Sequence, residues 1–173
     1  DSERYGIMYV DEDGSRKGCI IVHSSMGSIE RWIYAVLEQA AKAMSEGKTP
    51  MMPVWLSPIQ VRIIPVSHEQ MDYALKLASR IESENVRVDI DDREGTVSSK
   101  IRDAEREWIP YIIVVGKQEV EGKLLPVRIR GEGIFNLTID QLIENIKSKV
   151  KDKPYKPLTL PKLLSFRPKF IAT

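Results

Sequence analysis

In the stretch VHSSMGSIERW, residues 22–32, Arg31 falls in the first turn of a segment with helical periodicity. A helix N-terminus already presents unpaired N–H groups and the positive end of the dipole, so a cation there calls for an anion such as a phosphate beside it. His23 lies just upstream, at the edge of the same site. A second group falls in PVRIR, where Arg128 and Arg130 point to one side of a strand, with Glu119 expected close by. Two guanidinium forks and a carboxylate suit base-edge reading: Arg donates two bonds to guanine, and a carboxylate accepts from a base N–H. Unpaired RNA loops are the targets that leave such edges open.

Arg93, Lys100, Arg102 and Arg106 gather around the next strand–helix junction upstream, and Lys123 precedes PVRIR, giving two basic groups expected near one sheet edge. For the helix group a plain solvated face stays open as an equal reading, because Asp103, Glu105 and Glu107 can pair with those cations along the helix. Asp89, Asp91, Asp92 and Glu94 follow one another closely, but without the ligand ladder of a calcium loop, so turn and helix-cap duty is expected of them. The chain carries no phosphate-cradling glycine loop, nucleophile elbow or zinc-finger spacing, and its second half holds no self-contained catalytic constellation.

Positioning these groups requires an alternating framework. The runs YGIMYV and GCIIVH flank Asp13-Gly14, a hairpin signal, and residues 28–46 follow as a helix capped by Ser28, with Ile29, Trp32, Ile33, Val36, Leu37, Ala40 and Met44 on one expected buried face. Gly47 ends it, and the proline-rich GKTPMMPVWLSP predicts a linker over residues 47–57. From residue 58 to 153 strands and helices alternate: QVRIIPVS, a helix with Met71, Ala74, Leu75, Leu77, Ala78 and Ile81 inward, then NVRVDID with alternating sides. A helix through Val97, Ile101, Ala104 and Trp108 leads to YIIVVG, apolar enough for the centre of the sheet. Residues 117–130 predict a turn at Glu121-Gly122 and an outer strand, and Thr138 caps a closing helix. The tail, 154–173, keeps Leu158, Leu160, Leu163, Leu164 and Phe166 and is expected to pack on the domain.

Composition narrows the classes. With 42% hydrophobic and 29% charged residues in 173, the chain is globular and can bury a core. A net charge of +1 leaves a local basic face possible without announcing one. The single cysteine, Cys19, excludes an internal disulfide, and neither a signal peptide nor a membrane-spanning run is seen, so an intracellular, cytoplasmic location is expected.

HSSMGSIERW resembles the third signature motif of class II aminoacyl-tRNA synthetases. GSIER, WLSPIQV, KIRDAE, IPYIIVVG and VRIR, in this order, are similar to the threonyl-tRNA synthetase family, and the HSSMGSIERWIYAVLEQA version and RPKF ending to its archaeal members. The resemblance implies an α/β anticodon-binding domain with a mixed, mainly parallel five-stranded sheet flanked by helices. The hairpin and helix of residues 1–46 would be the end of the class II antiparallel catalytic sheet.

It further implies Arg31 as an ATP ligand, with Mg2+ accompanying the nucleotide, and His23 as one ligand of a Zn2+ that holds the threonine amino and hydroxyl groups. The interval from His23 to Arg31 is one residue shorter than the family pattern. Arg128 matches the reader of the middle guanine of the threonine anticodon, Glu119 a contact to the neighbouring base, and Arg93, Glu94 and Arg130 the surface facing the anticodon loop. Glu94 stands where bacterial members carry Asn; a carboxylate accepts but cannot donate. The implied partners are the tRNA for threonine, L-threonine and ATP, with a homodimer through the catalytic domain and no membrane. The first two class II motifs and two zinc ligands are absent, so the chain is expected to be the C-terminal part of the ligase, unable to aminoacylate alone. The alternative is a free-standing anticodon-type domain that binds RNA or a protein without catalysis; the intact GSIER favours the ligase.

Overall fold

The computed structural model describes residues 2–20 and 27–168, in two compact units that divide between Glu38 and Gln39. In the first unit α1 (Ser2–Tyr5) precedes β1 (Met8–Val10), which pairs antiparallel with β2 (Arg16–Gly18). Asp13 drives the turn: its carboxylate accepts from the Ser15 N–H at 2.8 Å, and Gly14 takes the left-handed φ of +77°. The hairpin is thus shorter than the apolar runs suggest. Its first expected residue, Tyr5, is helical, and Ile21–His23 lie outside the described residues.

Helix α2 spans Ile29–Ser45, and the stripe expected to be buried is largely exposed: Ile29, Trp32, Ile33, Leu37 and Met44 face solvent, and only Ala40 is buried. The periodicity is real, but the surface it would cover is not among the described residues. Residues 47–57, expected as a linker, instead pack on the second unit, where Val54 is buried and Met51 lies against the core.

That core is a five-stranded sheet in the order β4-β3-β5-β6-β7: β3 (Val61–Pro65), β4 (Val88–Ile90), β5 (Tyr111–Val115), β6 (Leu125–Ile129) and β7 (Gly133–Leu137). β3 pairs parallel with β4 and β5, while β6 is antiparallel to both β5 and β7, so four strands run one way and β6 alone is reversed. YIIVVG is central, as its unbroken apolar run requires. PVRIR is not the outer strand; β7, beyond the turn at residues 130–132, is the edge. A short helix, α5 (Lys117–Glu121), not expected from the sequence, leads into a bend at Gly122, beside the expected turn.

Helices α3 (Met71–Glu82) and α6 (Ile139–Val150) cover one face, burying Ala74, Leu77, Ala78, Ile81, Leu142 and Ile146 against the sheet. Leu75, expected inward, is exposed. Thr138 caps α6, accepting from the Gln141 N–H while the Gln141 side chain accepts from the Thr138 N–H. Helix α4 (Val97–Arg106), capped by Thr96, covers only part of the other face, where Ala104 packs with Ile59, Ile64, Ile109, Ile112 and the tail residue Leu158. The tail also docks along β4: the Ile90 N–H donates to the Lys162 carbonyl at 2.9 Å, and Leu164 is buried. No helix among the described residues is long and apolar enough to cross a membrane.

Candidate nucleic-acid interface

Among the described residues, no helix covers β6 and β7 on the α4 side of the sheet. Strand alternation sends Leu125, Val127 and Ile129 into the core and leaves Pro126 and Arg128 on the open face. Arg128 stands between Ile112 on β5 and Ile134 on β7, and Pro126 opposite Asn136. This open face borders a groove of about 570 Å³ lined by Arg102, Arg106, Arg128 and Arg130 together with Glu105 and Glu132. Residues far apart in the chain, from the helix cluster and from PVRIR, thus meet in one basic groove.

Their states differ. The Arg128 side chain is 38% exposed, and its only ionic contact among the described residues is with Glu105 at 3.6 Å, a separation too long for a strong hydrogen bond. Arg102 and Arg106 have no ion pair among the described residues, whereas Glu132 is taken up by Lys149 at 2.7 Å. Arg130 is committed to the framework instead. It donates to the carbonyls of Pro50 at 2.6 Å and Glu105 at 2.7 Å and lies 5.9 Å from the Trp108 ring centre. Trp108, which holds a left-handed φ of 57°, supports this arginine.

Glu119 is not brought to Arg128. Its carboxylate accepts from the Gly116 N–H at 2.8 Å, beyond the carboxyl end of β5, whereas Arg128 lies opposite Ile112 near the amino end. Four residue steps, from Ile112 to Gly116, separate these levels, about 13 Å along the strand. Glu94, exposed before the Thr96 cap, also lies at the carboxyl-end edge, beside Ser67, His68 and Lys100. The expected site residues therefore form two poles, Arg128 and Arg130 near the amino end of β5, and Glu119, Glu94 and Arg93 at the carboxyl ends of β4 and β5.

Arg93 is a loop clamp. It grips Asp91 through two bonds, at 2.8 and 2.7 Å, and approaches Asp103 at 3.5 Å. Burial pushes the Asp91 carboxyl up, but the bonds from Arg93 outweigh that and hold it below the usual carboxylate range. Lys100 is buried too, its ammonium donating to the Asp91 carbonyl at 3.2 Å. Neither joins the groove, and Lys123 lies apart from it with Tyr73 and Leu125.

Two buried arginines escaped the sequence reading. Arg62 on β3 is fully buried, holding Asp89 bidentately at 2.9 and 2.8 Å and Glu107 at 2.7 Å. Burial works against its charge, and the bonds to Asp89 and Glu107 prevail and raise its pKa. Arg167 of the tail reaches the same carboxylate at 3.0 Å. Arg87 donates to the carbonyls of Trp55 and Ser57 before β3 and to that of Lys156 in the tail. A charge interrupting VRII and one interrupting VDI were the signals available.

At the end of the first unit, Arg31 is exposed in the first turn of α2 as expected, its guanidinium against Gly27, where an added methyl would meet it at 3.0 Å. His23 lies outside the described residues. Among the described residues no group of three or more His, Cys, Asp or Glu side chains could hold a metal ion.

The domain is thus α/β, with a strip of sheet that no helix among the described residues covers, bordered by Arg102 and Arg106, which have no ion pair there. The model of the anticodon binding domain family matches residues 60–149, and the chain belongs to that family. More particularly, it corresponds to the C-terminal region of threonyl-tRNA synthetases. It is 54% identical over 172 residues to the Threonine--tRNA ligase of Pyrococcus horikoshii, covering 98% of this chain and 28% of that protein. Against the same enzyme of Pyrobaculum aerophilum it is 51% identical over 170 residues, 97% of this chain and 28% of that one. The chain therefore spans little more than a quarter of these relatives. Among solved structures it is similar to the RNA binding domain of threonyl-tRNA synthetase from Cryptosporidium parvum Iowa II, with a TM-score of 0.54 and 26% identity over 64% of this chain and 27% of that one. Prolyl-tRNA synthetase from Cryptosporidium parvum shares the fold, with a TM-score of 0.62 and 21% identity over 87% of this chain and 31% of that one.

Proposed function

We propose that this chain recognises the anticodon loop of the tRNA for threonine and belongs to a threonine–tRNA ligase whose catalytic domain is supplied by a longer protein. The observation that carries the reading is Arg128: an incompletely paired guanidinium on an open sheet face, flanked by two unpaired arginines. A guanidinium fork there reads the O6 and N7 of the middle guanine, while Arg102 and Arg106 meet backbone phosphates. Glu119 and Glu94, at the far pole, contact bases other than the one on Arg128. Arg93 and Arg130 shape the surface rather than read it, since two of the three guanidinium nitrogens of each are already engaged.

In the full ligase, threonine is activated by ATP to the adenylate and then transferred to the tRNA 3′ end. The contribution from residues 1–46, as the end of a class II catalytic domain, is Arg31, which neutralises and orients the nucleotide phosphates together with Mg2+. Zn2+, when bound, supplies a Lewis-acid grip on the threonine amino and hydroxyl groups; His23 would be one ligand, with the others outside this chain. The exposed stripe of α2, Ile29, Trp32, Ile33 and Leu37, is a face for that catalytic domain to cover, which favours the ligase over a free-standing RNA-binding domain. A cytoplasmic homodimer follows from the same reading.

Titrating the chain with the threonine anticodon stem-loop and with the same stem carrying an unrelated loop, at one salt concentration, tests this. Selective binding of the threonine loop supports the reading, and equal binding of both contradicts it.

A further inference from the structure

A second groove, of about 580 Å³, opens at the amino ends of β3 and β4, with Trp55 and Pro58 on one lip and Tyr155, Pro157 and Leu160 of the tail on the other. Its shape is set from within. Arg87, nine-tenths buried, donates to Trp55 and Ser57 carbonyls at 2.7 and 2.8 Å on one lip and to the Lys156 carbonyl at 3.4 Å on the other. Leu158 pins the tail to the α4-side core.

The groove's chemistry is aromatic and cationic. The Lys153 ammonium sits 5.8 Å from the Trp55 ring centre, and no carboxylate is among the lining residues. Lys151, Lys153 and Lys156 have no ion pair among the described residues. Rings with a π-face beside unneutralised lysines match what unpaired nucleotides require, stacking for the base and cations for the backbone. An apolar peptide would leave those lysines without a role. Leu158, which lines it, packs in one cluster with Ile109 and Ile112, which line the groove of Arg128.

We propose that Trp55, Tyr155, Lys153 and Lys156 form a sequence-tolerant platform for single-stranded RNA, a second contact beside the base-reading groove. The choice of RNA as occupant rests on the proposed anticodon function, but the platform does not depend on Arg128.

The test uses a fluorescently labelled decauridylate, which contains no anticodon, alongside the threonine anticodon stem-loop. Tyr155→Ala with Lys156→Ala is expected to weaken decauridylate binding about tenfold. It should also flatten the slope of log K against log salt by about 0.7, while the stem-loop keeps its preference for the middle guanine. Lys153→Gln with Lys156→Gln, which leaves both rings, should lower the slope by twice as much, and an unchanged melting temperature shows that the fold survives. Arg128→Ala should do the reverse, abolishing the guanine preference and sparing decauridylate. Unchanged decauridylate affinity in both double variants overturns the platform, as does the absence of decauridylate binding by the parent chain. Loss of guanine preference in the parent, with the decauridylate effects intact, removes the anticodon reading and leaves the platform standing.

Discussion

Glu105 and Arg128 face each other across the groove, the carboxylate of α4 lying 3.6 Å from a guanidinium nitrogen of β6. At that distance, with both groups partly exposed, the pair is weak. It is strong enough to aim the fork along the open face and weak enough to yield to a base. The Glu105 carbonyl also accepts from Arg130, so this helical turn sets the position of one arginine and fastens another.

Arg128→Lys should therefore separate charge from geometry. Lysine keeps the cation but loses the two-pronged donor, so overall affinity and salt slope should hold while preference for the middle guanine falls by about 1–3 kcal/mol. Binding of matched and mismatched stem-loops across a salt series checks this. An unchanged preference would show that charge alone suffices.

Arg102 and Arg106 are expected to act on phosphates. Replacing each by alanine should weaken all stem-loops alike and reduce the salt slope by about 0.7 to 0.9 per arginine. A loss confined to one loop sequence would show base reading instead.

The buried Arg62–Asp89 pair makes a stability prediction. Asp89→Ala leaves the buried Arg62 guanidinium with Glu107 alone and takes the carboxylate from Arg167, and should cost about 3–5 kcal/mol in denaturant unfolding. Arg62→Met combined with Asp89→Leu should cost clearly less, because the fully buried cation goes with its carboxylate and only the partly exposed Arg167 loses a partner. If the double variant were as unstable as the single one, packing rather than charge would be the cause.

Glu84 predicts an acid dependence. The bonds from Lys147 and then Arg80 hold its pKa down at about 2, against an ordinary 4.5, joining the end of α3 to α6. A carboxylate whose folded pKa is depressed contributes stability fully present above about 4.5 and lost as pH falls through about 2. The melting-temperature gap between the parent and Glu84→Gln should thus be largest near neutral pH and close towards pH 2. A gap independent of pH would mean that the charge is not what stabilises.

Much of the sheet was legible because its signals are local. YIIVVG announced a central strand, Thr138 a cap, and the leucines of the tail a docked segment. What was lost depended on partners far along the chain. GIFNL is short and exposed, so β7 shows little alternation, and without it PVRIR reads as an edge. Arg62 and Asp89 are 27 residues apart, and each alone looks like a misplaced charge. The α2 stripe was correct as a period, yet a period does not say whether its partner is present. Glu119 was expected near Arg128 because the residues are close in sequence. The antiparallel return of β6 carries Arg128 back towards the amino end of β5 and leaves Glu119 behind.

The most direct measurement is a double-mutant cycle between Arg128 and the middle base. The parent chain and Arg128→Ala would each be titrated with the threonine anticodon stem-loop carrying guanine or adenine at that position, at one fixed salt concentration. A coupling of about 1–3 kcal/mol is expected, with Arg128→Ala indifferent to the base. Additive effects, with the guanine preference surviving loss of Arg128, would contradict it.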